Sequence, residues 1–159
     1  TLRCRIGNLG TDETATVTLS TLARDFGRLV NHATVSWSTV SGETASKAAS
    51  VPVTVRYSGE LALLAPAADA SALAGGMLPI AWQVSGANAG DQLRFNLAYS
   101  LDRGASWKKI ANGVDGSGYD WLLPSLKRAR TGVVRIIGFA NGRKFATIRS
   151  APFRIEAGG

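Results

Sequence analysis

The sequence predicts an all-β protein made of two β-sandwich units, the first of them incomplete, with almost no helix. Short segments in which apolar and polar residues alternate recur along the chain, and Gly, Asn, Asp or Ser bounds each of them. Charged residues make up 18% of the chain, against roughly 25% in an average soluble protein. The turn signals divide the 159 residues near Ser58, which predicts units at 1–58 and 59–159.

Residues 1–58 predict four strands. A short strand at the start is followed by strands around 15–19, 29–37 and 51–55, in which apolar residues occupy every second position. Pro52 cannot donate a backbone hydrogen bond, so we expect its strand at a sheet edge or with that position facing outward. Four strands bury too little surface for independent stability. An upstream segment, the second unit or a neighbouring molecule is therefore expected to cover the open face.

Residues 59–159 predict a complete sandwich. The strand patterns lie at 61–65, 78–84, 93–99, 107–110, 119–121, 133–139 and 145–155. About seven short strands at roughly 10-residue intervals are typical of an immunoglobulin-like or fibronectin type III-like sandwich. Trp82, Trp107 and Trp121 occupy predicted inward positions and are expected in the core, whereas Trp37 is a candidate for a surface contact.

Residues 100–107 read Ser-Leu-Asp-Arg-Gly-Ala-Ser-Trp and predict a braced β-hairpin. We expect Ser100, Asp102, Gly104 and Trp107 to brace it, with Asp102 bonded to the backbone and Gly104 at positive φ. The string resembles the Asp-box hairpin of sialidases and other secreted, carbohydrate-associated proteins, in which it lies away from the catalytic centre. A β-propeller would repeat such a hairpin roughly every 40–50 residues, and here it occurs once.

Two longer resemblances cover most of the chain. Residues 59–157 resemble the Ig-like module of bacterial secreted proteins and of the fungal Ser-Thr-rich, glycolipid-anchored cell-wall family. The matching strings are Leu-Leu-Ala-Pro at 63–66, Gly-Gly-Met-Leu-Pro-Ile-Ala-Trp at 75–82, the hairpin with its preceding Tyr at 99–107, Tyr-Asp-Trp-Leu-Leu-Pro at 119–124 and Ser-Ala-Pro-Phe-Arg-Ile at 150–155. This resemblance implies a non-catalytic spacer, adhesive unit or polymer-binding accessory.

Residues 1–57 are similar to the C-terminal half of the conserved-repeat, threonine-rich Ig-like domain of bacterial surface proteins. The strings that carry this similarity lie at 4–9, 15–19 and 27–35. The front half of the repeat, in which a second cysteine often lies, has no counterpart here. The resemblance therefore implies that Cys4, the only cysteine, could pair with a cysteine outside this chain.

The net charge is +7, and residues 59–159 hold twelve Lys/Arg against seven Asp/Glu, compared with six against four in residues 1–58. A basic surface attracts anionic polymers such as acidic polysaccharide. The candidate residues for such binding lie in loops and strand ends of the second unit: Lys108, Lys109, Lys127, Arg128, Arg130, Arg143 and Lys144. The alternative is that these residues form a solvated basic surface that serves solubility and binds no polymer. Nucleic acid is not an expected partner, because no aromatic-interleaved RNA-binding signature and no basic helix occur.

No catalytic centre, metal site or cofactor is predicted. His32 is the only histidine and is expected to face outward, with no recognisable nucleophile or orienting carboxylate. Asp102, Asp115 and Asp120 lie by turns, where turn capping explains them. The alternatives are a glycosidase acid–base pair of Asp115 and Asp120 or a weak Ca²⁺ site among all three. No run approaches 18 apolar residues, so membrane insertion is not expected.

These observations predict a non-catalytic structural or adhesive module of a bacterial extracellular or cell-surface protein. The chain has no initiator Met and opens as if inside a strand, so we expect a fragment of a longer protein. Unpaired strands in the first unit would allow assembly with copies of the chain or with neighbouring domains through strand complementation. The alternative is an accessory module of a carbohydrate-active enzyme that binds a glycan or another anionic polymer.

Overall fold

The computed structural model of the chain describes residues 2–23 and 25–158, and in this part every regular element is a β-strand. The predicted all-β fold is therefore confirmed. The chain divides into two compact units, Thr1–Val55 and Arg56–Gly159.

The first unit contains a two-stranded antiparallel ribbon. Strand β1 (Gly27–Ser38) pairs with β2 (Thr44–Val55) from Gly27 opposite Val55 to Ser38 opposite Thr44. The connecting turn is closed by the Gly42 N–H, which donates to the Thr39 carbonyl at 2.9 Å, and Gly42 has a φ of 87°. Because side chains alternate between faces, one face of the ribbon carries most of the apolar residues: Leu29, Ala33, Val35, Trp37, Ala45, Ala49, Val51 and Val53.

The strands predicted at the start of the chain and at 15–19 are wrong, because residues 2–23 contain no strand. Val17 and Leu19 alternate with polar residues as a strand requires, yet they are 49% and 59% exposed. Alternation fixes which side chains would share a face, but a strand forms only where its backbone pairs with a neighbour. No segment among the described residues supplies that neighbour. The ribbon strands, in contrast, are longer than predicted.

The second unit is a sandwich of two sheets. The smaller sheet has the antiparallel order β3-β5-β8, with β3 (Glu60–Ala65), β5 (Met77–Ser85) and β8 (Gly118–Leu122). The larger sheet has the order β4-β11-β9-β6-β7, with β4 (Ser71–Leu73), β11 (Phe153–Glu156), β9 (Arg130–Ala140), β6 (Leu93–Ser100) and β7 (Lys108–Val114). Strand β10 (Arg143–Arg149) also pairs with β9, and β4 runs parallel to β11.

The core lies between the inner faces of these two sheets. Trp82 packs against Phe95 with ring centres 5.0 Å apart, and Trp121 packs against Tyr99 at 4.7 Å. Trp82 and Trp121 are 1% and 5% exposed, which confirms their predicted core positions. On the inner face of β9, Gly132 leaves space that the Phe153 ring fills, since a Cβ at this position would lie 2.6 Å from Phe153 Cζ.

Tyr57 fixes the start of the second unit onto its sandwich. Its hydroxyl donates to Asp91 Oδ2 at 2.9 Å, and its ring lies 4.7 Å from the Phe145 ring. Burial, together with the bond to the Asp91 carboxylate, raises the pKa of Tyr57 to about 12. The Asn88 backbone N–H, which donates to Asp91, is the main cause of the lowered pKa of that carboxyl.

Candidate functional site

The hairpin at 100–107 is closed by a dense set of hydrogen bonds around Asp102. The Ser100 hydroxyl donates to Asp102 Oδ1 at 2.6 Å and accepts the Gly104 N–H at 2.7 Å. The Ser106 N–H donates to Asp102 Oδ1 at 2.8 Å, and the Ser106 hydroxyl donates to Asp102 Oδ2. The Ser100 hydroxyl and then the Ser106 groups hold the pKa of the Asp102 carboxyl well below its usual range. The turn also needs positive φ at Arg103 (59°) and Gly104 (95°).

Trp107 lies outside the core, contrary to the sequence prediction. Lys108 lies opposite Tyr99, whose side chain faces the core. Because successive side chains point to opposite faces of a sheet, Trp107, which directly precedes Lys108, faces the outer side of the larger sheet. There the half-buried indole of Trp107 contacts two guanidinium groups. Arg135 Cζ lies 4.3 Å and Arg149 Cζ 5.2 Å from the ring centre.

The hairpin holds this indole in place. A Cβ at Gly104 would lie 3.3 Å from Trp107 Cζ2 and 3.4 Å from Arg149 Nη1. Gly104 therefore permits a close approach of the turn to both side chains, in addition to its positive φ. The bonds that fix Asp102 and Ser106 fix the backbone directly before Trp107.

Three cations lie in one row across the outer face of the larger sheet. Ala98 on β6 lies between Lys109 on β7 and Arg135 on β9. Arg135 in turn lies opposite Arg149 on β10. We call Lys109, Arg135 and Arg149 the cationic row. Lys109 and Arg149 are exposed and Arg135 is half-buried. Among residues 2–23 and 25–158, none of the three forms a salt bridge, whereas Arg94 on the same face pairs with Asp115.

The seven cations proposed from the sequence do not lie together. Lys108 and Arg130 line one open depression of about 310 Å³, together with Tyr99, Ser100, Leu101, Asp102, Ser106 and Leu126. Lys127 and Arg128 are exposed in the loop of 123–129 that supplies Leu126.

Lys109 belongs to the outer face instead. Arg143 and Lys144 begin β10 and pair with the far end of β9, about 33 Å along that strand from Arg130.

Sequence reasoning missed Arg135 and Arg149. Arg135 lies within β9 among apolar residues and Arg149 ends β10, and neither has a cluster of charged residues around it in the sequence. Only the register of β9 and β10 brings the two arginines directly opposite each other.

The remaining candidates are dispersed. Cys4 is an exposed free thiol, so its pairing with a cysteine outside the chain stays a prediction. His32 is exposed on β1 opposite Ser50, and Asp120 is exposed on β8 opposite Pro79. Among the residues described, no three His, Cys, Asp or Glu side chains are grouped to hold a metal ion. Nor does this part of the chain contain a helix with the length and apolar character needed to span a membrane.

Comparisons with known proteins find similar folds among solved structures. No family model matches the chain, and no curated protein matches it. A solved structure described as "Structures of Clostridium thermocellum CbhA fibronectin(III)-like modules" is similar with a TM-score of 0.43 and 12% sequence identity. The match covers 78% of this chain and 60% of that chain.

Proposed function

We propose that the chain is a non-catalytic structural or adhesive module of a bacterial secreted or cell-surface protein, and that its first unit joins an assembly by strand complementation. The observation that supports this function is the uncovered apolar face of the ribbon. Val51, Val35 and Trp37 on this face are 60%, 50% and 46% exposed. Exposed apolar surface of this kind marks interaction sites.

The backbone of the ribbon also favours assembly. A two-stranded ribbon is at best marginally stable by itself, and each of its strands has an outer edge that can accept a further strand. Strand β1 offers the better edge, because its 12 residues contain no proline whereas β2 contains Pro52. The proposed partner is a copy of the chain or a neighbouring domain of the parent protein.

Light scattering coupled to size-exclusion chromatography tests this proposal with the 159-residue chain. We expect dimers or larger species at micromolar concentration. The double variant Val35→Lys/Val51→Lys should be monomeric, since both positions lie on the apolar face. The control Thr34→Lys/Ser50→Lys adds the same charge to the opposite face and should assemble as the wild type does. A folded wild-type monomer at this concentration would contradict assembly between copies of the chain.

A second candidate function is an accessory module of a carbohydrate-active enzyme that binds an anionic polymer. The depression lined by Lys108 and Arg130, next to the loop with Lys127 and Arg128, favours it. Retention on an acidic glycan array should be lost in Lys127→Ala/Arg128→Ala/Arg130→Ala. Absence of wild-type retention on every glycan of the array would count against this candidate.

A further inference from the structure

We propose that the cationic row of Lys109, Arg135 and Arg149, braced by Trp107, is a binding site for the carboxylate or sulfate groups of an acidic polysaccharide. The proposal rests on the second candidate function for its ligand class. It assigns the binding to the outer face of the larger sheet and not to the depression at the sandwich end. The two surfaces can therefore be tested separately.

The register of four strands places the three cations within reach of one ligand. Neighbouring strands lie about 4.8 Å apart, so the row from β7 to β10 spans about 14 Å. A polysaccharide chain that lies across the strands would meet all three cations in succession. Two of them, Lys109 and Arg149, are exposed, and Arg135 is accessible in part.

No acidic side chain in the described part of the protein pairs with the positive charges of the cationic row. Arg135 lies directly opposite Arg149, and like charges in this arrangement repel each other and destabilise a sheet. Neither arginine forms a salt bridge with a described residue, although Arg94 on the same face does so with Asp115. An anionic ligand would supply the missing negative charge.

Trp107 positions the two guanidinium groups before any ligand arrives. Stacking on an indole uses the face of a guanidinium and leaves the N–H donors at its edge available. Arg135 Nε is itself buried, with no hydrogen-bond acceptor among the described residues, so the terminal nitrogens of Arg135 and of the exposed Arg149 are the donors that a ligand would meet. A carboxylate or sulfate accepts two parallel bonds from such an edge. Because the hairpin already orders these side chains, binding loses less conformational entropy.

The same geometry favours a polysaccharide over a nucleic acid. Proteins that bind single strands stack bases on aromatic side chains, but two arginines already contact the Trp107 ring. The major groove of a duplex admits a helix or a two-stranded ribbon, whereas the row extends across β7, β6, β9 and β10.

The test uses the full chain, titrated with polygalacturonate, dextran sulfate, neutral dextran and single-stranded DNA at one ionic strength. We expect both acidic polysaccharides to bind and neutral dextran not to bind. Arg135→Gln/Arg149→Gln should weaken the binding at least tenfold. Lys127→Gln/Arg128→Gln removes the same charge from the loop at the sandwich end and should weaken it less than threefold.

Two further variants show whether weakened binding results from loss of this site or only from loss of charge, and a measurement of the fold excludes misfolding as the cause. Trp107→Leu keeps the net charge and should weaken binding severalfold, because the guanidinium groups lose their support. Arg135→Lys/Arg149→Lys retains the charges but loses the forked donors, and should bind with intermediate affinity. Circular dichroism checks the fold of each variant.

Equal losses in the two Gln variants would overturn the proposal, since binding would then follow net charge. A loss confined to Lys127→Gln/Arg128→Gln would overturn it as well and leave the second candidate function standing. Tighter binding of DNA than of either polysaccharide would also overturn it. If no polymer binds, the site and the second candidate function fail together.

Discussion

The substitution Gly132→Ala tests how closely the core packs against the central strand β9. The added Cβ would lie 2.6 Å and 2.9 Å from two carbons of the Phe153 ring and 3.1 Å from Ile155 Cδ1. Favourable carbon–carbon contacts are about 3.5–4.0 Å long, so the ring must move by about 1 Å. Phe153 and Ile155 are 2% and 0% exposed, and neither can turn into solvent.

Overpacking of this kind destabilises a protein by about 1–3 kcal/mol. In a domain of this size each kcal/mol lowers Tm by about 4–8 °C. Thermal unfolding of the full chain, followed by the emission of buried Trp82 and Trp121, measures the change.

Gly118→Ala is the matched control. Gly118 lies on β8, and its nearest contact for an added Cβ is the Ile80 carbonyl oxygen at 3.6 Å. This control should keep or slightly raise stability, because alanine restricts the unfolded chain. If the free energy of unfolding of Gly132→Ala lies within about 0.5 kcal/mol of the wild-type value, the packing argument is refuted.

Three further predictions concern the polar contacts of the second unit. The pKa of Tyr57 is raised to about 12, so the contribution of Tyr57 to stability is complete below about pH 10 and should be lost as the pH rises towards 12. The free energy of unfolding of Tyr57→Phe, measured by denaturation, should not show this loss. The pKa of Asp102 is lowered, so its contribution to stability is complete above about pH 4 and should be lost as the pH falls further. Protection of the Gly104 amide against hydrogen exchange, taken relative to the intrinsic rate at each pH, should then fall, and it should already be low in Asp102→Asn. Ser100 is 2% exposed and accepts the Gly104 N–H, so Ser100→Ala should cost about 1–3 kcal/mol in urea denaturation.

Local sequence signals predicted two core tryptophans and the hairpin of the second unit, but not strand β4 or the division of 145–155 into β10 and β11. Period-two alternation placed Trp82 and Trp121 in the core, and the spacing of Ser100, Asp102 and Gly104 specified a turn whose hydrogen bonds are local. Such features depend on residues a few positions apart, which a sequence displays directly.

Features that depend on pairing between distant segments were not predictable. The alternation at 15–19 has no paired neighbour among the described residues and gives no strand. Trp107 faces outward because of the register between β6 and β7. Arg135 and Arg149 are 14 positions apart in the sequence and adjacent only through the pairing of β9 with β10.

The parallel pairing of β4 with β11 has a mechanical consequence. The two strands lie close to opposite ends of the second unit's chain, and their backbones are bonded by Arg154 N–H to Ala70 O at 2.8 Å and Ala74 N–H to Glu156 O at 3.0 Å. A stretching force that pulled β4 and β11 apart along their length would shear these bonds at the same moment, whereas an antiparallel hairpin pulled at its open end would unzip bond by bond. The pairing of β4 with β11 therefore resists tension applied along the two strands.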